Sequence, residues 1–172
     1  MISLLLILLP LLTGLAAFFI KDEKLARTWA VLASFATLTI AILSLCCMND
    51  TKSLNYHCEW LPSLGASFSL KMDGVAQLLC LLNTIAYPLV FIAGWDKTYK
   101  NAKNFFALML LAQAGIMGVF LAADALLFYF FWELALIPMY FLCSQWGGEK
   151  RVAVTFKFFI YTFIGSLLML VS

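Results

Sequence analysis

Along this chain, long apolar stretches are broken at short intervals by small clusters of charge. Residues 1–20, 26–48, 74–95, 104–122, 124–146 and 152–172 each approach or exceed the roughly 20 residues that a helix needs to cross a hydrocarbon core. Six membrane-spanning helices are therefore expected, with ends placed to within about two to four residues. Only one connection is long, residues 49–73. Within it "ASFSLKM" alternates apolar Ala66, Phe68, Leu70 and Met72 with polar Ser67, Ser69 and Lys71. That period of two predicts a short strand on the outer surface, with a plain loop as the alternative. Tyr56 and Trp60 are candidates for anchoring at the membrane interface.

The charges fix a direction. Lys21, Lys24 and Arg27 follow the first run, Lys97, Lys100 and Lys103 the third, and Lys150, Arg151 and Lys157 the fifth, which is nine of the eleven basic residues. The second connection holds only Lys52 and Lys71. Basic loops stay on the cytoplasmic side, so the N-terminus is expected outside. The first run has no basic residue ahead of it, and "KDEKLAR" comes after it. This is the pattern of an uncleaved first span rather than a secretory signal.

Composition agrees and narrows the function. The chain is 65% hydrophobic and 12% charged, against about a quarter charged in soluble domains. A net charge of +2 with no dense basic cluster gives no footing for nucleic acid. The cysteines (Cys46, Cys47, Cys58, Cys80 and Cys143) form no C-x-x-C pair, so an iron–sulfur site is not expected in this chain. His57 is the single histidine, which argues against zinc or haem. No glycine-rich phosphate loop is present.

The polar residues inside the apolar runs carry the candidate chemistry. In "FYFFWELALIPM" Glu133 lies nine residues past Asp124, about 13 Å into a core about 30 Å thick. A charge at that depth costs about 2.5–3.5 kcal/mol on insertion scales, so burial favours the neutral acid. A carboxyl poised between its two forms can load and unload a proton. At 100° per residue, Tyr129, Tyr140 and Ser144 fall within about 40° of Glu133 and form a polar stripe with it. Pro138 has no N–H, so the Leu134 carbonyl loses its helical partner. The competing reading is a neutral glutamate that merely hydrogen-bonds between helices.

Lys157, about five residues into the last run, is expected to snorkel back to the interface, with Tyr161 on its face leaving a relay role open. Thr155, Thr162 and Ser166, with Gly165 beside them, make a close-packing surface on the opposite face. Ala114, Gly115 and Gly118 make a similar seam in the fourth run. Pro88 frees the Thr84 carbonyl and predicts a kink. Asp73 and Asp124 stand at helix starts as caps.

"FFWELALIPMYFL" followed by "WGG", then "KFFIYTFIGSLLML", resembles the M-type membrane subunits of proton-translocating NADH:quinone oxidoreductase (complex I), the counterpart of subunit 4 in mitochondria. "EWLPSLGASFSLKMDG" and "GVFLAADALLFYFF" are similar to the family's entries to the third and fifth spans. The resemblance implies an all-α, fourteen-helix antiporter-like fold with two inverted five-helix repeats. Residues 1–103 would be the N-terminal three-helix segment, and 104–172 the start of the first repeat. Glu133 would be the family's fifth-helix carboxylate, influenced by a lysine on a broken seventh helix. The sequence stops at Ser172, before that helix, so an N-terminal fragment, inactive alone, is expected.

The chain itself would be cofactor-free, with NADH, flavin, iron–sulfur clusters and quinone in partner subunits. The implied partners are the other membrane subunits, especially the L-type and N-type antiporter-like ones, and the bilayer. The expected location is a bacterial inner membrane, with the mitochondrial inner membrane as second choice. A subunit of a multisubunit cation/proton antiporter, or an inactive truncated product, are the alternatives.

Overall fold

A computed structural model describes residues 2–46, 54–61, 66–95 and 99–171. Lys52 and Lys97, used in the charge argument, and the expected helix ends at 1, 47–48 and 172 lie outside the described residues. Among these described residues, six helices and one hairpin follow in order: α1 (Ile2–Ala17), α2 (Glu23–Cys46), β1 (Tyr56–Leu61), β2 (Ala66–Leu70), α3 (Gly74–Ala93), α4 (Ala102–Leu121), α5 (Ala125–Trp146) and α6 (Arg151–Val171). The expected helices form, with ends shifted by up to three residues. Helices α2 to α6 are each long and apolar enough to cross a membrane, whereas α1, expected over 1–20, has 16 residues. The chain after α1 turns instead, with Phe18, Phe19 and Ile20 donating to the carbonyls of Leu15, Ala16 and Ala17.

Helix α4 is the centre of the bundle and packs against α1, α2, α3 and α5. Its sequence explains why. Ala107, Ala112, Ala114, Gly115 and Gly118 are all buried, and such small side chains let neighbouring backbones approach. A Cβ on Gly115 would lie 2.8 Å from Ala135 Cα, and one on Gly118 would lie 2.1 Å from the Phe131 ring. Of the seam read from Ala114, Gly115 and Gly118, the two glycines thus form the α4–α5 contact. The buried face of α5 (Leu127, Phe131, Pro138 and Leu142) completes it. Helix α5 runs unbroken through Pro138.

Polar groups buried between the first four helices are mostly bonded, as hydrocarbon surroundings demand. Gln77 Nε2 donates to Ser44 Oγ at 3.2 Å and Gln113 Nε2 to Thr37 Oγ1 at 3.3 Å. Thr37 in turn donates to the Ser34 carbonyl at 2.8 Å. Thr84, beside Pro88 on α3, donates to the carbonyls of Cys80 and Leu81.

The strand expected in "ASFSL" is β2, and it pairs antiparallel with β1, which the alternation did not reveal. The register runs from Tyr56 opposite Leu70 to Leu61 opposite Ala66, with an irregularity between Glu59 and Leu61. Tyr56 and Trp60 pack edge-on against Phe68 of the hairpin, at ring separations of 6.1 and 6.4 Å. Leu70 also bridges to Ala122, so the α4–α5 corner lies along β2.

Candidate functional site: a carboxyl at the α5–α6 seam

The start of α5 is held by the hairpin. Lys71 N–H donates to the Leu121 carbonyl, and Ala123 N–H to the Ser69 carbonyl, both at 2.9 Å. Asp124, the N-cap, accepts from the N–H groups of Leu126 (2.9 Å) and Leu127 (3.4 Å), and from Ser67 of β2 (3.2 Å). These donors, Ser67 foremost, hold its carboxyl below the usual carboxylate range. Asp73 caps α3 in the same way, accepting from Ala76 N–H at 2.8 Å. Both acids are the caps that their positions predict. Trp60 and Phe68 then pack on Phe130 and Phe131, at 5.7 and 6.3 Å between ring centroids.

The far end of α5 is tied as well. Trp146 Nε1 donates to the Lys100 carbonyl at 3.0 Å, and its ring packs edge-on against Phe105. Helix α5 is therefore fixed at both ends and along its α4 face. Helix α6 rests chiefly on α5, and among its described residues only Thr155 and Ser166 are buried.

Glu133 lies on the α6 side of α5. It is half-buried, and its Oε1 accepts a hydrogen bond from Ser166 Oγ at 2.5 Å. Tyr140, seven residues on, packs edge-on against Phe159 at 5.4 Å, and Phe159 lies seven residues before Ser166. Equal spacings on antiparallel helices give one register, which brings Ser144 level with Thr155 one turn further. The predicted stripe of Tyr129, Glu133, Tyr140 and Ser144 thus lies along the α5–α6 seam, opposite the Thr155–Thr162–Ser166 face. Ser144 Oγ donates to its own helix, at the Phe141 carbonyl. Pro138 faces the other way, into the packed α4 side.

Lys157 is exposed, and nine residues separate it from Ser166. That spacing is half a revolution and about 13 Å of helix, so α6 presents Ser166 and not Lys157 to Glu133. Ser166 is the residue that sequence reasoning missed as a partner. Its signals were its place on the Thr155–Thr162–Ser166 close-packing face and the shared spacing of seven between Glu133 and Tyr140 and between Phe159 and Ser166.

Several grooves open along the seam, and two of them lie toward the start of α5. One of about 280 Å³ is lined by Trp132, Tyr161, Thr162 and Ser166 among others. A second of about 440 Å³ is lined by Asp124 and Tyr129 among others, and shares Phe128 and Met169 with the first. Together they make a furrow from Ser166, the partner of Glu133, to the capped start of α5. A carboxyl, a hydroxyl partner and a neighbouring furrow thus lie together between two candidate membrane spans.

Known proteins share this arrangement of helices. Residues 122–172 match the family described as "NADH:quinone oxidoreductase/Mrp antiporter, TM". The F(420)H(2) dehydrogenase subunit M of Methanosarcina mazei is 39% identical over 171 residues, which is 98% of this chain and 34% of that protein. NAD(P)H-quinone oxidoreductase chain 4 3 of Trichormus variabilis is 36% identical over 172 residues, 96% of this chain and 32% of that one. The structure of respiratory complex I from Thermus thermophilus with bound NADH contains a chain that superposes with a TM-score of 0.83 at 27% identity. That match covers 99% of this chain and 34% of the other. The present chain spans about a third of the length of these relatives. Over nearly its whole length the chain is similar to proteins named subunit M or chain 4 of such oxidoreductases, and over residues 122–172 to the NADH:quinone oxidoreductase/Mrp antiporter family.

Proposed function

We infer that this chain is part of a proton-translocating subunit, in which Glu133 takes up and releases the proton. One observation carries the reading: a carboxyl near mid-span, at a helix–helix seam, accepts a hydrogen bond from a neutral hydroxyl. A hydroxyl can donate to a carboxylate and accept from an acid, as a cycling proton site requires. The furrow toward Asp124 offers one side of the route, and Tyr129 lies along it.

Redox chemistry would take place in partner subunits that hold the flavin, iron–sulfur clusters and quinone. Their electron donor would be NADH or the F(420)H(2) of the archaeal relative's name. The energy released there would reach Glu133 as a change in its electrostatic surroundings. Exposed apolar residues cover much of α6, including Val152, Val154, Phe156, Leu168 and Val171, which suits burial against further spans or lipid. L-type and N-type subunits are the proposed neighbours in the complex. The basic residues after α1, α3 and α5 support a reading in which those connections face the cytoplasm of a bacterial cell and the N-terminus lies outside.

The test is Glu133→Gln in the full-length subunit within its assembled complex, with protons moved per electron as the readout. The amide matches the carboxyl in shape but carries no exchangeable acid, so pumping and coupled quinone reduction should both fall. Wild-type stoichiometry in the assembled variant would refute the reading. A second reading, sodium/proton exchange, is favoured by the Mrp antiporters that share the family description. Sodium-driven proton movement in vesicles that lack the redox subunits would select it.

A further inference from the structure

Ser166 Oγ lies 2.5 Å from Glu133 Oε1 and 2.9 Å from the carbonyl oxygen of Phe163, one turn earlier on its own helix. A serine hydroxyl has one proton to donate and two lone pairs with which to accept. It cannot serve both oxygens as a full donor at once, but two arrangements satisfy every atom. With Glu133 ionised, Ser166 donates to Oε1, and 2.5 Å lies in the range of an O–H···O⁻ bond. With Glu133 protonated on Oε1, the carboxyl O–H donates to Ser166 Oγ, and the serine proton turns to the Phe163 carbonyl. No heavy atom need move between the two.

We propose that Ser166 is a positioning residue for proton binding at Glu133, its hydroxyl rotating between the carboxylate and the Phe163 carbonyl as Glu133 loses and gains its proton. The inference rests on the reading of Glu133 as the proton site. In each cycle one O–H bond forms and breaks at Glu133 Oε1, while the serine O–H bond only rotates. Burial gives the device its purpose. Ser166 is 7% exposed, so water is a poor substitute for its hydroxyl, and an ionised carboxyl stripped of its donor is costly in such surroundings. The Phe163 carbonyl supplies the resting place for the serine proton, which a hydroxyl lacking a second acceptor would not have.

The test uses the full-length subunit in its assembled complex, with Ser166→Ala, Ser166→Thr, Glu133→Gln and the Glu133→Gln/Ser166→Ala double variant. Coupled turnover should fall about tenfold or more in Ser166→Ala, the loss expected for one hydrogen bond to a charged group. Ser166→Thr keeps the hydroxyl and should restore most of it. In infrared difference spectra, the protonated-carboxyl band that vanishes in Glu133→Gln should move to higher wavenumber in Ser166→Ala and stay in place in Ser166→Thr. The double variant should be no slower than Glu133→Gln alone, because the serine acts only through the acid.

An impaired Glu133→Gln beside a Ser166→Ala with normal rate and unmoved band would overturn the inference and leave Glu133 as the proton site. An unmoved band with additive losses would reduce Ser166 to packing and overturn it equally. Normal pumping in Glu133→Gln would remove the reading beneath both. If Glu133→Gln does not assemble, Glu133→Asp assigns the band by displacing it, and the Ser166→Ala shift is read against that.

Discussion

Adding one methyl group to the α4–α5 contact tests whether the helix that carries Glu133 is set by backbone approach. A Cβ at position 118 would meet Cδ1, Cγ and Cε1 of Phe131 at 2.1, 2.2 and 2.6 Å. Carbon atoms prefer about 3.5 Å, so the ring must retreat by about 1.4 Å. It has little room to do so, because Phe131 is buried and packs on Phe68 and Phe130. At position 115 the new Cβ would meet Ala135 N, Cα and Cβ at 2.8–2.9 Å. The deficit there is smaller, about 0.7 Å, but it falls on backbone, so α5 as a whole must shift.

Overpacking of this kind costs about 1–3 kcal/mol. Gly118→Ala and Gly115→Ala in the full-length subunit should each lose that much, read as a lower melting temperature of the purified complex. The two sites should then separate. Phe131→Leu removes ring atoms beside Gly118 and should recover most of the Gly118→Ala loss, yet leave the Gly115→Ala loss untouched. A Gly118→Ala complex as stable as wild type would refute the claimed approach of the helices. Equal rescue of both variants by Phe131→Leu would show that the two contacts are not the separate ones described.

Two further outcomes follow from the buried and capping polar groups. Gln113 is fully buried with its Oε1 unpartnered, and Thr37 keeps the Ser34 carbonyl as its acceptor without it, so Gln113→Leu should be neutral or stabilising. A loss above about 1 kcal/mol by thermal unfolding would contradict this. Asp124→Asn should cost about 1 kcal/mol at neutral pH, because the charged cap and its tie to Ser67 weaken. Asp124 is held below its ordinary value of 3.8, so its contribution is complete above that value and disappears as pH falls through the lower folded-state value. Melting curves of wild type and Asp124→Asn should therefore converge only below about pH 4, and a constant gap down to strong acid would refute the assignment.

Much of the fold was legible because hydrocarbon imposes simple demands. Apolar runs of about 20 residues must be helices, since no other open structure satisfies its own backbone in lipid. Small residues at 114, 115 and 118 predict close approach for the same reason, and Asp73 and Asp124 stand where free N–H groups need acceptors. The hairpin was half legible. The residues of β2 alternate, whereas "YHCEWL" of β1 mixes polar and aromatic residues without a clean period, and its pairing comes from β2 and the α4–α5 corner. The end of α1 at Ala17 was hidden because the residues that follow, Phe18, Phe19 and Ile20, are as apolar as the helix itself.

The candidate site was legible on one helix and illegible between two. Periodicity puts Glu133 on a face with Tyr129, Tyr140 and Ser144, but it says nothing about what that face meets. On α6 the same arithmetic finds a lysine face and a small-residue face, and charge alone draws attention to Lys157. The structure chooses the other face, because a seam held against α5 must be narrow and Thr155, Thr162 and Ser166 are narrow. That choice changes the chemistry available to Glu133. A lysine in contact would hold it ionised by a fixed charge, whereas a serine can accept from the acid as readily as it donates to the carboxylate. On the proposed reading of Glu133, a charge that drives its proton off would come from beyond these two helices. The open side of α6 and the furrow beside Ser166 are the approaches that such a charge would have to use.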